Sequence, residues 1–405
     1  MTANAVFSWL VVALAKSAVL LLVTLTVVAY LSWFERKLVA HIQSRLGPYR
    51  VGPHGLLQPL ADGIKFLFKE DPTPAGVDRF VYFAAPFVSL GLAMSAIAVI
   101  PFGPPDAQIE VFGHRTGLAV ANLNIGLPFL FAITALGVYG IALAGWASNN
   151  KYALMGGLRS AAQMVSYELA LTLSVVGVLL QAGSFNLNEI VASQDGRWLG
   201  FVPRWFFFPQ IAGFFCFFTA AIAETNRSPF DLPEAESELV AGFHTEYASF
   251  KFAMFFIAEY TSMVIVSCLA TLLFFGGWQS PFPEGRWFAW TAYLPNLALL
   301  GGGVLLLLDG LRYHRRGKRI ALALLGVILL GAAWLCLAPE TNRILQGPFW
   351  FLAKLFFFLF VYVWIRGTLP RFRYDQLMSF GWKVLLPLSL ANALGTSLLV
   401  VLRQP

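Results

Sequence analysis

Acidic residues are concentrated in one short segment of an otherwise apolar chain. Six of the 21 Asp and Glu residues lie within 224–246, which contains a single Lys or Arg, Arg227. The six are Glu224, Asp231, Glu234, Glu236, Glu238 and Glu246. Clustered carboxylates favour one another's protonation, so such a segment suits proton exchange. A simpler explanation covers only part of the set, because Pro233 and the three glutamates after it also fit the first turns of a capped helix.

Further carboxylates are predicted within or at the ends of membrane spans. Glu168 and Glu259 each lie about eight residues past the predicted cytoplasmic start of their spans, which is roughly 12 Å along a helix. Glu35 and Glu224 lie at the cytoplasmic ends of theirs. A carboxylate in the hydrocarbon region is unfavourable and commonly lines an ion or proton path. The alternative is a structural ion pair, for example between Glu35 and the adjacent Arg36 or Lys37.

The composition is that of a polytopic membrane protein. Of the 405 residues, 58% are hydrophobic and only 12% are charged, whereas soluble domains carry about 25% charged residues. The net charge of +7 follows from basic loops, so no nucleic-acid partner is expected. The three cysteines and five histidines are scattered, which predicts no disulfide framework, iron–sulfur cluster, haem or other metal site.

The elements that must position these acids are apolar helices. Ten segments approach the ~20 residues that cross a bilayer, and the fold class is predicted as an all-α polytopic bundle. They are 8–34, 80–101, 122–147, 160–182, 206–224, 250–276, 287–309, 319–338, 349–367 and 382–402. The first is too long for the apolar core of a signal peptide and is expected to remain as an anchor. Most Lys and Arg fall in alternate loops, which predicts a periplasmic N-terminus and a cytoplasmic acidic loop.

Two cytoplasmic features precede the second span. Residues 55–69 are too short and too charged to span, but Leu57, Leu60, Ile64 and Leu67 form one stripe at helical spacing. This pattern predicts an amphipathic helix in the membrane interface. Before it, residues 35–53 are rich in Gly, Pro and basic residues, which favours a fixed, turn-rich docking surface over a flexible linker.

Several long motifs resemble one known family. They are Phe34-Glu-Arg-Lys, Arg45-Leu-Gly-Pro, Gly55-Leu-Leu-Gln-Pro-Leu-Ala-Asp, Gly145-Trp-Ala-Ser-Asn-Asn-Lys-Tyr and Glu224-Thr-Asn-Arg-Ser-Pro-Phe-Asp-Leu-Pro-Glu-Ala-Glu-Ser-Glu-Leu. Together they resemble the H-subunit (subunit 1) family of respiratory complex I, the proton-pumping NADH:quinone oxidoreductase. The resemblance covers about 30–278 and 347–395.

The resemblance implies a subunit that forms the membrane side of a quinone chamber and couples quinone reduction to proton translocation. Ubiquinone or menaquinone would be the substrate, and the chain itself would bind no metal, flavin or haem. Its partners would be the peripheral-arm subunits that bear the terminal iron–sulfur cluster and the quinone headgroup site, the neighbouring small membrane-arm subunits and the lipid bilayer. The location would be the bacterial inner membrane.

The resemblance also implies roles for individual residues. The quinone passage would include Arg36, Asp62, Lys65, Arg227 and Phe230. Proton coupling would use the acidic residues Glu35, Glu168, Glu224, Asp231, Glu234, Glu236, Glu238, Glu246 and Glu259.

One part of the chain departs from the family pattern. Family members join the segments that match Gly276-Gly-Trp and Gly347-Pro-Phe-Trp by a shorter connection. We therefore expect three parts: 1–280 as the chamber bundle, 281–346 as an inserted transmembrane hairpin with a basic tip, and 347–405 as the last two family spans. Eight family spans and the inserted pair account for the ten.

Two other functions remain open at this stage. A membrane anchor of a related energy-converting hydrogenase, or of another quinone-reducing complex, would share much of the pattern. The complete glutamate set of the acidic loop favours complex I. An independent secondary transporter would have a substrate site on broken helices near the midplane, whereas the acids here cluster towards one side.

Overall fold

The computed structural model describes residues 3–107, 109–111, 114–198, 200–231, 240–283, 286–313 and 316–403. Within these ranges the protein is mainly helical and has only two pairs of very short strands, which confirms the all-α membrane bundle. Glu234, Glu236 and Glu238 of the acidic loop lie outside the described residues. Glu224, Asp231 and Glu246 lie inside them.

The helices are joined by connections of very different length, from a few residues to more than twenty. They are α1 (Ala3–Ile42), α2 (Gln58–Phe68), α3 (Arg79–Ile97), α4 (Gly126–Ala147), α5 (Lys151–Ala182), α6 (Leu187–Ala192), α7 (Ile211–Glu224), α8 (Ser249–Phe274), α9 (Leu294–Arg312), α10 (Arg316–Leu335), α11 (Pro339–Thr368), α12 (Tyr374–Phe380) and α13 (Leu386–Arg403). A π-helical turn, Gly381–Leu385, joins the last two. Two antiparallel pairs, β1 (Ile109–Val111) with β2 (His114–Thr116) and β3 (Arg197–Trp198) with β4 (Val202–Pro203), lie in loops.

The number of spans agrees with the sequence. Among the described residues, nine helices are long and apolar enough to cross a membrane, and the tenth predicted segment corresponds to α7, a shorter apolar helix. One predicted boundary differs from the structure: α5 begins at Lys151 and not near residue 160. Asn150 caps it by accepting a hydrogen bond from the Tyr152 amide. The equal depths predicted for Glu168 and Glu259 are therefore wrong when measured from the helix starts.

Helix α8 is the centre of the bundle. It packs against α1, α3, α7 and α11, and nearly all of its side chains from Tyr260 to Phe274 are buried. Close approach elsewhere depends on glycine: a Cβ on Gly156 would lie 2.6 Å from the Cα of Gly242. The bundle therefore brings α1, α5, α7, α8 and α11 within side-chain reach of one another at one end.

The predicted amphipathic helix is confirmed as α2. Its stripe of Leu57, Leu60, Ile64 and Leu67 is exposed on the outside of the protein. An exposed apolar stripe is typical of a helix that lies in the lipid interface. An ion pair between Arg36 on α1 and Asp62 on α2 attaches α2 to the bundle.

Helices α9 and α10 form a tight antiparallel hairpin within the segment predicted as an insertion. A Cβ on either Gly303 or Gly326 would lie 3.0 Å from the carbonyl oxygen of the other, so the two backbones are in close contact. The flanking bases Arg312, Arg316 and Arg319 are exposed at the tip.

The tip of this hairpin gives a direct test of topology. A short epitope tag inserted between Arg312 and Arg319 should be accessible to antibody from the cytoplasmic face alone, because basic loops are retained there. Accessibility in inside-out and right-side-out vesicles measures this. Labelling from the periplasmic face would contradict the ten-span arrangement.

Candidate functional site

The turn that follows α7 carries a buried arginine between two acids. The Arg227 Nε lies 2.9 Å from the Glu259 Oε1 of α8, and its Nη1 lies 3.8 Å from the Glu35 Oε1 of α1. The guanidinium also lies 4.1 Å from the ring centroid of Tyr260. The Arg227 side chain is only 6% exposed. A single base thus holds two carboxylates from different helices in a site with little water, where charge interactions are strong.

A second arginine completes this cluster. Arg366, near the end of α11, forms an ion pair with the same Glu35 oxygen. Glu35 therefore forms ion pairs, but its partners are Arg227 and Arg366. The adjacent Arg36 and Lys37, which the sequence offered as possible partners, do not pair with it. We call Glu35, Arg227, Glu259 and Arg366 the arginine–carboxylate cluster. Two acids and two bases balance one another, so the three inner members can be largely buried while Arg366, with 37% of its side chain exposed, extends to the surface.

Hydrogen bonds from α5 fix the turn that carries Arg227. The side-chain amide of Gln163 donates to the carbonyls of Ala223 (2.8 Å) and Phe230 (2.9 Å), one before the turn and one after it. The Asn226 amide donates to the Ser160 hydroxyl at 2.9 Å. Gln163 and Ser160 are fully buried. These bonds hold Arg227 in one position relative to α5.

Asp231 and Phe230 attach the start of the acidic loop to the connection between α11 and α12. Asp231 Oδ2 lies 3.3 Å from Arg371 Nη2. The ring of Phe230 stacks on Phe372 with centroids 5.5 Å apart, and it also contacts Tyr167. Both loop residues are more than nine-tenths buried. Their burial means that they anchor the loop, whatever the loop's central residues contact.

Below the cluster, a small internal cavity contains two of the predicted acids. It has a volume of about 70 Å³ and is lined by Glu224 and Glu259 together with His244, Asn226, Thr134 and Ser262 among others. That volume holds a few water molecules, and the lining offers the polar partners that ordered water requires. Burial lowers the pKa of His244 to about 3, so this imidazole is neutral near pH 7 and leaves the carboxylates as the acidic groups of the cavity.

Glu168 and Glu246 lie outside the arginine–carboxylate cluster. Glu168, on α5, is close enough to Glu224 to interact with it electrostatically. The Glu246 carboxylate instead accepts a hydrogen bond of 2.6 Å from Asn150, at the start of α5. It faces a separate surface cleft between the ends of α4 and α5. The structure therefore places Glu168 near Glu224, although Glu168 does not line the cavity, and it places Glu246 at a separate cleft.

An opening on the surface leads to the cluster from the side of α2. It has a volume of about 640 Å³ and is lined by Glu35, Arg36, Pro48, Gln58 and Arg366 among others. At its edge, Arg36 Nη1 lies 2.7 Å from Asp62 Oδ2, and the Gln58 amide donates to the other oxygen of Asp62 at 3.1 Å. Lys65 Nζ is 3.6 Å from the same carboxylate and is exposed. Three of the predicted passage residues thus lie together at one edge.

Comparison with known proteins identifies the family. The family model described as NADH dehydrogenase matches residues 15–397. The NADH-quinone oxidoreductase H subunit 1 of Solibacter usitatus (strain Ellin6076) is 51% identical over 393 residues, which cover 97% of this chain and 98% of that protein. The chain belongs to the H-subunit family of NADH-quinone oxidoreductase. The corresponding H subunit 2 of Koribacter versatilis (strain Ellin345) is 48% identical over 404 residues, with 98% of both chains covered.

Some residues of this site could not be identified from the sequence. In the sequence, Arg366 and Arg371 are distinguished only by their positive charge, yet they contact Glu35 and Asp231. The only sequence feature that could have indicated a role for Gln163 is its polar amide within an apolar span. For all three, the partners are distant along the chain. Among the described residues, no group of three His, Cys, Asp or Glu side chains is placed to hold a metal ion.

Proposed function

We propose that this member of the H-subunit family forms the membrane side of a quinone chamber and couples quinone reduction to proton translocation through its carboxylates. One observation carries the proposal. Glu35 lines the surface opening and contacts Arg227; Arg227 contacts Glu259; and Glu259 lines the cavity that also contains Glu224. Three charged groups in contact, followed by a cavity with two acids in its lining, thus connect the opening with the interior of the bundle.

The coupling has a simple electrostatic basis. Reduction of a quinone to quinol takes up two electrons, which partner subunits would supply, and two protons. Because the quinol is neutral, the charge changes at the groups that donate these protons. Two unit charges about 4 Å apart interact by about 4 kcal/mol at an effective dielectric constant of 20. A change of charge at Glu35 therefore alters how strongly Arg227 stabilises the ionised form of Glu259, and with it the proton affinity of the cavity.

Different residues have different parts in this proposal. Arg36, Lys65 and Asp62 form the polar edge of the passage, where basic side chains donate to the quinone carbonyl oxygens. Arg227 and Phe230 hold its inner wall. Glu35, Glu259, Glu224 and Glu168 form the proton route. The other acids of the acidic loop take part in proton coupling as members of that loop; they are Asp231, Glu234, Glu236, Glu238 and Glu246.

The same proposal assigns the surroundings of the chain. The peripheral-arm subunits with the terminal iron–sulfur cluster and the quinone headgroup site would cover the cytoplasmic loops, and small membrane-arm subunits would adjoin the bundle. The location is the bacterial inner membrane, with the N-terminus on the periplasmic side. The relatives are named as quinone oxidoreductases, which favours this function over a hydrogenase anchor.

Replacement of Arg36 by Ala tests the passage. We expect about a tenfold rise in the apparent KM for quinone, because a hydrogen bond from a charged donor contributes about 1.5–3 kcal/mol. NADH oxidation with ferricyanide, which bypasses the quinone, should be unchanged in the intact complex. Arg373→Ala is the matched control, since Arg373 is exposed and paired with its neighbour Asp375. An unaltered quinone KM and rate in Arg36→Ala would remove this residue from the passage.

A further inference from the structure

The α9–α10 hairpin contacts the Gly–Pro loop, residues 43–57, through one histidine. His54 Nε2 lies 2.6 Å from Asp309 Oδ2 near the end of α9. The His54 ring also meets the Tyr313 ring edge to face, with centroids 5.6 Å apart. The charged or titratable groups around the imidazole are Asp309, Tyr313, Tyr49, Lys37 and Lys318. Asp309 is the acid among them, so the hairpin supplies the negative partner of His54.

His54 also connects the loop to α1. Its carbonyl oxygen accepts hydrogen bonds from Lys37 Nζ at 2.9 Å and from Trp33 Nε1 at 3.3 Å. Its φ of +49° is in the left-handed region, which a residue other than glycine adopts only when its surroundings hold it there. Contacts from α1 on the backbone and from α9 on the ring together hold it.

The loop before His54 forms one wall of the surface opening. Lys37 Nζ also donates to the Pro48 carbonyl at 3.4 Å, and Arg45, Gly47 and Pro48 line the opening. The loop is tightly folded, because a Cβ on Gly55 would lie 2.4 Å from the Pro48 carbonyl oxygen. A displacement of His54 would therefore also move Pro48 and change the shape of the opening.

The hairpin itself is rigid enough to serve as a support. Its two helices are in backbone contact at Gly303 and Gly326. The Asn296 amide donates to the Cys336 carbonyl at 3.1 Å, which joins its two membrane ends at the side opposite the tip. Gln346 on α11 donates to the Ala292 carbonyl at 3.1 Å and fixes the hairpin to the bundle. Asp309 is thus held by a structure that does not depend on the loop.

We propose that the α9–α10 hairpin is a brace that holds the Gly–Pro loop at the mouth of the quinone passage, with Asp309 and His54 as its positioning residues. The inference rests on the proposed function, because it assumes that quinone enters by this opening. Neither residue needs to touch the quinone. The brace fixes the wall formed by Arg45, Gly47 and Pro48, and so maintains the shape that the substrate meets.

Asp309→Asn in the intact complex tests the brace with two measurements. Hydrogen exchange of the amides of residues 44–57 should become faster. The apparent KM for a short-chain ubiquinone analogue should rise by up to about fivefold, because a partly exposed ion pair such as His54–Asp309 contributes only modestly to stability. The kcat should change less than the KM, and Asp309→Glu should restore both. Asp375→Asn, which breaks an exposed ion pair with Arg373, is the matched control and should change neither.

The outcomes separate the brace from the function on which it rests. Unchanged loop exchange in Asp309→Asn overturns the brace, while the Arg36→Ala result stands independently. Faster exchange with an unchanged quinone KM also overturns the proposal, since the loop would then be braced but not part of the passage. If Asp309→Asn fails to assemble, Tyr313→Leu removes the ring contact to His54 without a change of charge, and the same two readouts decide.

Discussion

Replacement of Arg227 by Ala is expected to abolish most quinone reductase activity and to destabilise the protein within its complex. Arg227 lies between Glu35 and Glu259, and its side chain is only 6% exposed. Removing one partner of a buried ion pair costs about 3–5 kcal/mol, because the remaining charge is left without compensation. Glu35 keeps Arg366 as a partner, so most of the effect should arise at Glu259.

A double substitution shows whether the effect of Arg227→Ala arises from the lost positive charge or from the lost packing of the side chain. In Arg227→Ala with Glu259→Gln, the uncompensated acid is gone, so we expect stability and assembly to recover in part. Quinone reduction should remain low, because Glu259 is in the proposed proton route. Arg227→Lys keeps the charge but loses the planar fork that reaches both acids, and it should be intermediate. The measurements are complex content in membranes, thermal stability and NADH:quinone rates.

Two results would contradict this account of Arg227. Wild-type assembly and rates in Arg227→Ala would mean that the cluster does not need its central base. Failure of Glu259→Gln to improve the assembly of Arg227→Ala would mean that Arg227 stabilises the protein by packing on Tyr260 rather than by charge.

The sequence predicted the helices well because their signals are local. An apolar run of about 20 residues is sufficient to predict a span, and the spacing of Leu57, Leu60, Ile64 and Leu67 was sufficient to predict α2. The start of α5 at Lys151 was missed because polar residues near the cytoplasmic end of a helix resemble a loop in composition. The Asn150 cap was a signal that could have corrected it.

The candidate site was predicted only as a list of residues, the acids and the passage residues, without the contacts between them. Their partners come from distant parts of the chain: Glu35 contacts Arg366, and Asp231 contacts Arg371. No periodicity relates such residues, since their proximity depends on how α1, α7 and α11 pack around α8. The same limit applies to His54 and Asp309. Conversely, Glu246 is close to the other acids in sequence but is bonded to Asn150 at a separate cleft.

Substitution of Glu224 by Gln should lower quinone reduction and proton translocation together, by about tenfold or more, as expected when an acid–base group is lost. Glu224 and Glu259 line the same internal cavity, where His244 is neutral. Glutamine keeps the size and polarity of Glu224 but cannot bind and release a proton. The loss should therefore fall on proton transfer, and the complex should still assemble.

The measurements compare Glu224→Gln with Glu259→Gln and with a matched control beyond the far end of α5. Glu189→Gln makes the same chemical change at a site on α6 outside the cavity and should leave both activities intact. Proton translocation in reconstituted vesicles, the NADH:quinone rate and the ferricyanide rate separate the steps.

If translocation per quinone reduced is normal and the quinone rate is unchanged in both Glu224→Gln and Glu259→Gln, the cavity does not conduct the coupled protons. If only translocation falls while quinone reduction continues, these acids belong to the pump but do not control the chemistry at the opening. A joint fall, with ferricyanide reduction preserved, is the result that ties the cavity to the arginine–carboxylate cluster and through it to the quinone.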